Sequence, residues 1–266
     1  MLCIRIEIDI KNMDKKLDTI DQIREEDVEI ESGEKRLEGR IFLPPQIADK
    51  NPATLFVHGW QGQQDKAFDV ARELSGQGDI SLTFNWREHG VKDAHPEKYS
   101  REDYLNDTLA AYDYLAKVEG VDPSEITVVG TSMGAYMAAI LSTKRDVKRL
   151  GFRVPANYKD DGFTDPGIRG SDFPDVVAWR SDINDYSETM SLRALHEFKG
   201  KVLIVESGSD EIVPHETVQS YLNALADKEM LTHLLMPDVG HSIETQDERN
   251  KKIFRDAVRD WRFHKE

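Results

Sequence analysis

The chain has 266 residues, 39% of them hydrophobic and 32% charged, with 17 Gly and 10 Pro. That balance supports one sizeable core and excludes collagen-like, low-complexity and disordered classes. Acidic residues outnumber basic ones by 50 to 35, a formal net charge of −15, so nucleic acid and anionic membranes meet a repulsive field and neither is an expected partner.

The opening MLCIRIEIDI alternates Ile4, Ile6, Ile8 and Ile10 with Arg5, Glu7 and Asp9. This is a strand period broken by charges, not an export signal. Cys3, the single cysteine, cannot close an intrachain disulfide. No run of about 18 apolar residues is available for a spanning helix, so a cytoplasmic protein is expected. Residues 11–27 are rich in Asp, Lys and Glu, with Leu17, Ile20 and Ile23 at helical spacing, and read as a connector or weak surface helix. Residues 1–27 are therefore expected to form an N-terminal strand and charged connector.

From residue 28 onward, DVEIES and RLEGRIFLP predict a hairpin, and TLFVHGW predicts a buried strand, because parallel strands covered on both faces lose their charges. A helix over 65–74, the strand ISLTFNW, a longer helix over 100–118 and the strand EITVVG follow. After a strand over 150–154 come a helix near 192, the strand KVLIVESG, a helix after Pro214, the strand LTHLLMP and an amphipathic helix over 244–264. Alternating strands and helices build a mostly parallel sheet with helices on both faces.

One segment breaks this rhythm. Residues 156–190 carry Asp160, Asp161, Asp165, Asp172 and Asp175 among the aromatics Tyr158, Phe163, Phe173, Trp179 and Tyr186. A long insertion in a compact domain predicts a small cap, with 28–155 and 191–266 forming the core around it; a plain surface loop is the alternative. The acidic cluster lacks calcium-loop spacing, so no metal is expected there. Within the cap, Phe163 and Trp179 are the candidates to stack on a substrate's aryl or acyl group.

The motif Gly130-Thr131-Ser132-Met133-Gly134 lies between an apolar strand and the small-residue helix AYMAAILS. A serine at such a strand-to-helix turn is held in a strained conformation with its hydroxyl thrust outward, and the helix N-terminus favours negative charge beside it. Ser132 is therefore the candidate nucleophile, although a serine here could instead simply cap the helix. A serine needs a base. His241 follows a late strand in the turn Asp238-Val239-Gly240-His241, with His215, beside Pro214, as its main rival. For the acid that would orient the histidine, Asp210 occupies the loop after KVLIVESG, with Glu211, Glu206 and Asp238 as alternatives. The oxyanion formed on attack requires two donors: the amide of Met133 after the nucleophile, and the amide of Trp60 in the loop His58-Gly59-Trp60-Gln61-Gly62.

HGWQG after one strand, GTSMG at the turn, GSDEIVP before a helix and GHS after the last strand together resemble serine hydrolases of the α/β-hydrolase superfamily over residues 28–264. Within it the chain looks most like small-capped carboxylesterases, including feruloyl esterases and monoacylglycerol lipases, near the serine-aminopeptidase branch. The resemblance implies an eight-stranded, mostly parallel sheet, a Ser132–His241–Asp210 triad, an oxyanion hole at Trp60 and Met133, no cofactor, and a monomer or homodimer acting on a small-molecule ester. A peptidase or amidase, or a non-catalytic small-molecule receptor on the same scaffold, are the competing readings. Many relatives carry an Asp-x-Arg-Gly-x-Gly turn where this chain has Asn85-Trp86-Arg87-Glu88-His89-Gly90. Glu88 in place of a glycine predicts a rerouted backbone there.

Overall fold

A computed structural model describes residues 22–167 and 178–263. The expected first strand over 4–10, Cys3, most of the 11–27 connector, Asp172, Phe173, Asp175 and the terminal His264 lie outside the described residues.

Among the described residues, eight strands form one sheet in the order β1-β2-β4-β3-β5-β6-β7-β8. The strands are β1 (Arg24–Ser32), β2 (Lys35–Leu43), β3 (Asn51–Val57), β4 (Ile80–Phe84), β5 (Val121–Thr131), β6 (Arg149–Arg153), β7 (Lys201–Ser207) and β8 (Leu231–Met236). β2 runs antiparallel to both β1 and β4, and every other pairing is parallel. The five residues of β4 are all buried, as are Val202–Ser207 of β7, because helices cover both sides. β1 starts at Arg24, four residues before the expected hairpin. Its first four residues are exposed on the sheet's edge, where charged side chains pair with one another and with Arg40 and Arg72 at the surface and no apolar alternation is needed.

The helices are α1 (Phe68–Ser75), α2 (Arg101–Leu115), α3 (Met133–Leu141), α4 (Met190–Glu197), α5 (His215–Ala224) and α6 (Glu248–Phe263). Ser100 and Asp103 form a reciprocal cap at the start of α2, satisfying amides that have no partner within the helix. The core is split by the sheet. One layer joins α1 and α6 through Val70, Leu74, Phe254 and Val258 to Phe56, Val129 and Val205. The other joins α2, α3, α4 and α5 through Tyr104, Tyr112, Met137, Leu195 and Tyr221 to Leu55, Val128 and Ile204.

The 156–190 segment is tied to the second layer. Arg101 of α2 is buried and donates from Nη1 to the Lys159 carbonyl and from Nη2 to the Asp161 carbonyl (2.6 Å). Farther along, Arg180 Nε donates to the Asn157 carbonyl (2.8 Å), and Thr217 of α5 donates to the Arg180 carbonyl (2.9 Å). The roots of the segment are thus anchored by buried guanidinium bonds. No helix among the described residues is long and apolar enough to cross a membrane.

Candidate active site

β5 ends at Thr131, α3 begins at Met133, and Ser132 makes the turn between them at φ 54°, ψ −116°. This is a region that non-glycine residues rarely occupy, and it persists only where surroundings over-determine it. Here they do. A Cβ on Gly130 would overlap the Gly134 carbonyl, and one on Gly134 would overlap the Val57 carbonyl, so both glycines are required for β5, α3 and the end of β3 to approach so closely. The Ser132 amide donates to the Arg153 carbonyl (2.9 Å), and its own carbonyl accepts from Ala135 (3.0 Å) and Ala156 (3.2 Å). Its hydroxyl accepts no bond from the helix N-terminus, which removes the reading in which the serine simply caps α3.

The loop after β3 lies directly against this turn. A Cβ on Gly59 would stand 3.2 Å from Ser132 Cβ and 3.9 Å from its Oγ. The Gly59 carbonyl accepts from Gly62 N–H (2.9 Å) and from His58 Nδ1 (2.7 Å), turning the chain back on itself. His58 Nε2 in turn accepts from the Trp86 amide (3.1 Å), which assigns the ring proton to Nδ1. Burial is the main cause that lowers the His58 pKa to about 3, with neighbouring His89 acting in the same direction and the Gly59 carbonyl opposing them. His58 is therefore a neutral clamp on the loop, with both ring nitrogens engaged. The Trp60 ring packs edge-on against His89 (5.2 Å) and Tyr104 (5.7 Å).

Glu88 takes φ 58°, the left-handed geometry that glycine serves. Glu88 accepts a conformation that costs roughly 1–2 kcal/mol, in a turn gripped on both sides. Arg87 donates from its backbone N–H (3.0 Å) and Nη2 (2.6 Å) to buried Asp107, and His89 N–H donates to the Trp86 carbonyl (3.0 Å).

At the other side, the loop after β8 carries His241. Its Nδ1 donates to Asp210 Oδ2 (2.8 Å) and lies 3.0 Å from Oδ1, with the Asp210 side chain only 4% exposed. Asp210 Oδ1 also accepts from the amides of Ile212 and Val213 (both 2.8 Å), which fixes the carboxylate in its loop. With the Nδ1 proton held by the carboxylate, Nε2 of His241 is left as the basic nitrogen. The rival groups sit elsewhere. His215 Nδ1 meets Glu206 Oε1 (2.5 Å) and His233 Nε2 meets Glu206 Oε2 (2.9 Å). Glu211 Oε2 is 3.5 Å from the His241 amide, not its ring.

Ser132 and His241 line one cavity of about 230 Å³. One side is the loop from His58 to Ala67, including Trp60, Gln61, Gln64 and Lys66; the other is His241–Ile243, with Phe56, Val129 and Phe254 beneath. The cavity thus opens on the α1/α6 side of the sheet. Phe163 and Trp179 are not among its lining residues. Phe163 packs under the Arg101 guanidinium (5.7 Å from the ring centroid), and Trp179 lies beneath the Lys159 ammonium (5.9 Å). Met133, at the first position of α3, is fully buried. Two lining elements go beyond the residues singled out in the sequence: the Gln63–Lys66 stretch, just after the His58–Gly62 loop, and Arg153. An arginine inside the apolar strand RLGFR was the available signal for the second, since buried cations persist only when partnered.

The prolyl oligopeptidase family matches residues 86–262. An uncharacterized protein of Mycobacterium tuberculosis is 27% identical over 217 residues, 81% of this chain and 72% of that protein. Among solved structures, Pyrococcus horikoshii acylaminoacyl peptidase superposes with a TM-score of 0.71 at 16% identity over 97% of this chain and 45% of that one. Butyrivibrio proteoclasticus Est1E, solved with ferulic acid, superposes with a TM-score of 0.68 at 19% identity over 88% of this chain and 97% of that one. Both share the fold of this chain. With a strained serine turn at the head of a parallel sheet, the chain belongs to the prolyl oligopeptidase family and is a serine hydrolase of the α/β-hydrolase type.

Proposed function

We propose that the protein hydrolyses carboxylic esters with small to medium acyl or aryl groups through an acyl-enzyme on Ser132. One observation carries this reading: the strained Ser132 shares a cavity with His241, whose Nδ1 is bonded to buried Asp210. Ser132 Oγ attacks the ester carbonyl carbon while its proton passes to His241 Nε2, and Asp210 stabilises the imidazolium that results. The oxyanion is met by the amides of Met133 and Trp60; in such sites one donor contributes about 2.7–4 kcal/mol. Collapse expels the alkoxide, which takes the proton from His241 and leaves as the alcohol. Water then attacks the acyl-enzyme with His241 as base, releasing the carboxylic acid and restoring the serine.

The size of the cavity, about 230 Å³, supports a short acyl or single aryl group, being below the usual range of drug-sized pockets. The mechanism calls on no metal or organic cofactor, and we propose that a cytoplasmic monomer or homodimer carries it out. Cleavage of short peptides or aminoacyl amides is the second reading, favoured by the family match over residues 86–262. Paired kinetics decide between them. Aryl esters of increasing acyl length are expected to show kcat/KM at least about 10²-fold above matched aminoacyl anilides, with an optimum at short chains. Faster turnover of the anilides would establish the peptidase instead.

A further inference from the structure

Arg153 is the last residue of β6, 1% exposed, and it touches the neighbourhood of both proposed catalytic side chains. Its backbone carbonyl accepts the Ser132 amide (2.9 Å). Its guanidinium reaches the other way: Nη1 donates to the His241 carbonyl (2.6 Å), and Nη2 to Ser207 Oγ (3.2 Å) and the Gly240 carbonyl (3.4 Å). The group also lies over the Phe254 ring, 5.8 Å from its centroid, at the wall of the Ser132 cavity. One residue therefore spans from the serine's amide to the histidine's carbonyl.

We propose that Arg153 is a positioning residue, a strut that sets the His241 loop at working distance from the Ser132 turn; the inference rests on the esterase mechanism above. Three observations support it. The loop's other side-chain hold on the main chain of His241 is long, 3.5 Å from Glu211, whereas the guanidinium bond is short and charge-assisted, the stronger kind. Taking a cation out of water is costly, so a buried arginine is a poor way merely to fill space between β6 and the loop; its fork, which bonds two carbonyls and a hydroxyl at once, provides geometry that an apolar side chain does not. Finally, the next residue, Val154, sits at φ 41°, an unfavourable conformation for a β-branched residue, with its amide bonded to the Val205 carbonyl (2.9 Å). The chain is forced to turn immediately after Arg153, which leaves this side chain at the end of the strand, facing the loop. Arg153 does not contact the reacting atoms in this scheme. It acts through the backbone of His241, and misplacement by about 1 Å at such a site costs on the order of 10²-fold in rate.

The test uses the full chain with Arg153→Ala and Arg153→Lys, following kcat and KM on a neutral aryl ester and on an ester of an anionic acyl group, the rate of Ser132 labelling by a fluorophosphonate, and thermal unfolding. Arg153→Ala is expected to lower kcat by about 10²-fold with KM changed less than about threefold, and to slow labelling in proportion. Guanidinium at tens of millimolar is expected to restore at least tenfold of the lost rate in Arg153→Ala and to leave the wild type unchanged. Should the alanine variant not fold, Arg153→Lys, which keeps the charge but loses the fork, is expected to fold and to lose about tenfold in kcat. Wild-type kcat in the folded alanine variant, or in the lysine variant if only that one folds, overturns the proposal. So does a folded variant whose defect is confined to KM for anionic acyl esters, since Arg153 would then be a substrate contact. A wild type that is never labelled at Ser132 instead overturns the esterase mechanism, which keeps the two failures distinct.

Discussion

Two histidine–carboxylate clusters stand at the same end of the sheet. In one, Asp210 receives the Nδ1 proton of His241 at 2.8 Å; in the other, Glu206 is met by His215 at 2.5 Å and His233 at 2.9 Å. Both carboxylate side chains are 4% exposed. The burial of the carboxylate does not distinguish them; the exposure of the histidine and its neighbours do. His241 borders the cavity that contains the strained Ser132, whereas the His215 side chain is 64% exposed at the start of α5 and lines no part of that cavity. A histidine–carboxylate pair becomes a proton-handling device only where its free nitrogen faces a group with a proton to give. The Glu206 cluster has the form of a brace joining β7, α5 and β8.

The contrast is broken most forcefully by exchanging each carboxylate for its amide. Asp210→Asn leaves the shape intact but offers the ring the wrong partner, and is expected to lower kcat by about 10⁴-fold. Glu206→Gln, measured on the same aryl ester, is expected to stay within about threefold of wild type. Equal losses in the two variants would abolish the distinction.

A smaller effect separates buried from exposed histidines by the sign of their pH dependence. His58 is held neutral, its pKa lowered from 6.5 to about 3 chiefly by burial. Its folded-state pKa lies below its unfolded one, so its contribution to stability is complete above about pH 6.5 and is lost as the pH falls toward 3. The loss is on the order of 5 kcal/mol at most. Urea unfolding between pH 7 and 4 is expected to show this decline, and a His58→Asn variant a shallower one.

His215 has the opposite sign and the smallest effect. Its hydrogen bond to Glu206 raises its pKa, so its contribution is complete below the unfolded value near 6.5 and disappears as the pH rises through the folded value. Solvent screening of this mostly exposed ring keeps the effect small. His215→Gln is expected to remove a shallow loss of stability on the alkaline side of pH 6.5 without altering turnover.

Much of the scaffold was legible beforehand because buried parallel strands announce themselves. TLFV, ITVV and VLIV carry no charge and became the central strands β3, β5 and β7. GTSMG was legible for a similar reason: the two glycines mark close backbone approaches, and both approaches are present. The beginning of β1 was not legible, since an edge strand facing water needs no apolar period. The cavity wall was not legible either. Beyond the His58–Gly62 loop it combines Gln63–Lys66 with Phe254, segments nearly 200 positions apart whose meeting is set by the packing of α1 on α6 and by no local pattern. The aromatics of the 156–190 segment suggested a substrate contact, yet Phe163 and Trp179 each pair with a cation away from that wall. At Glu88, Arg87 and Asp107 hold the turn firmly enough for a glutamate to bear the left-handed geometry that glycine serves.

Covalent trapping tests the central claim most directly. Treated with a fluorophosphonate, the intact protein is expected to gain the mass of one adduct, located by peptide mapping at Ser132, and the folded Ser132→Ala variant is expected to gain none and to lose esterase activity. An adduct on a different serine, or a Ser132→Ala protein that is labelled and turns over ester as the wild type does, would contradict the account.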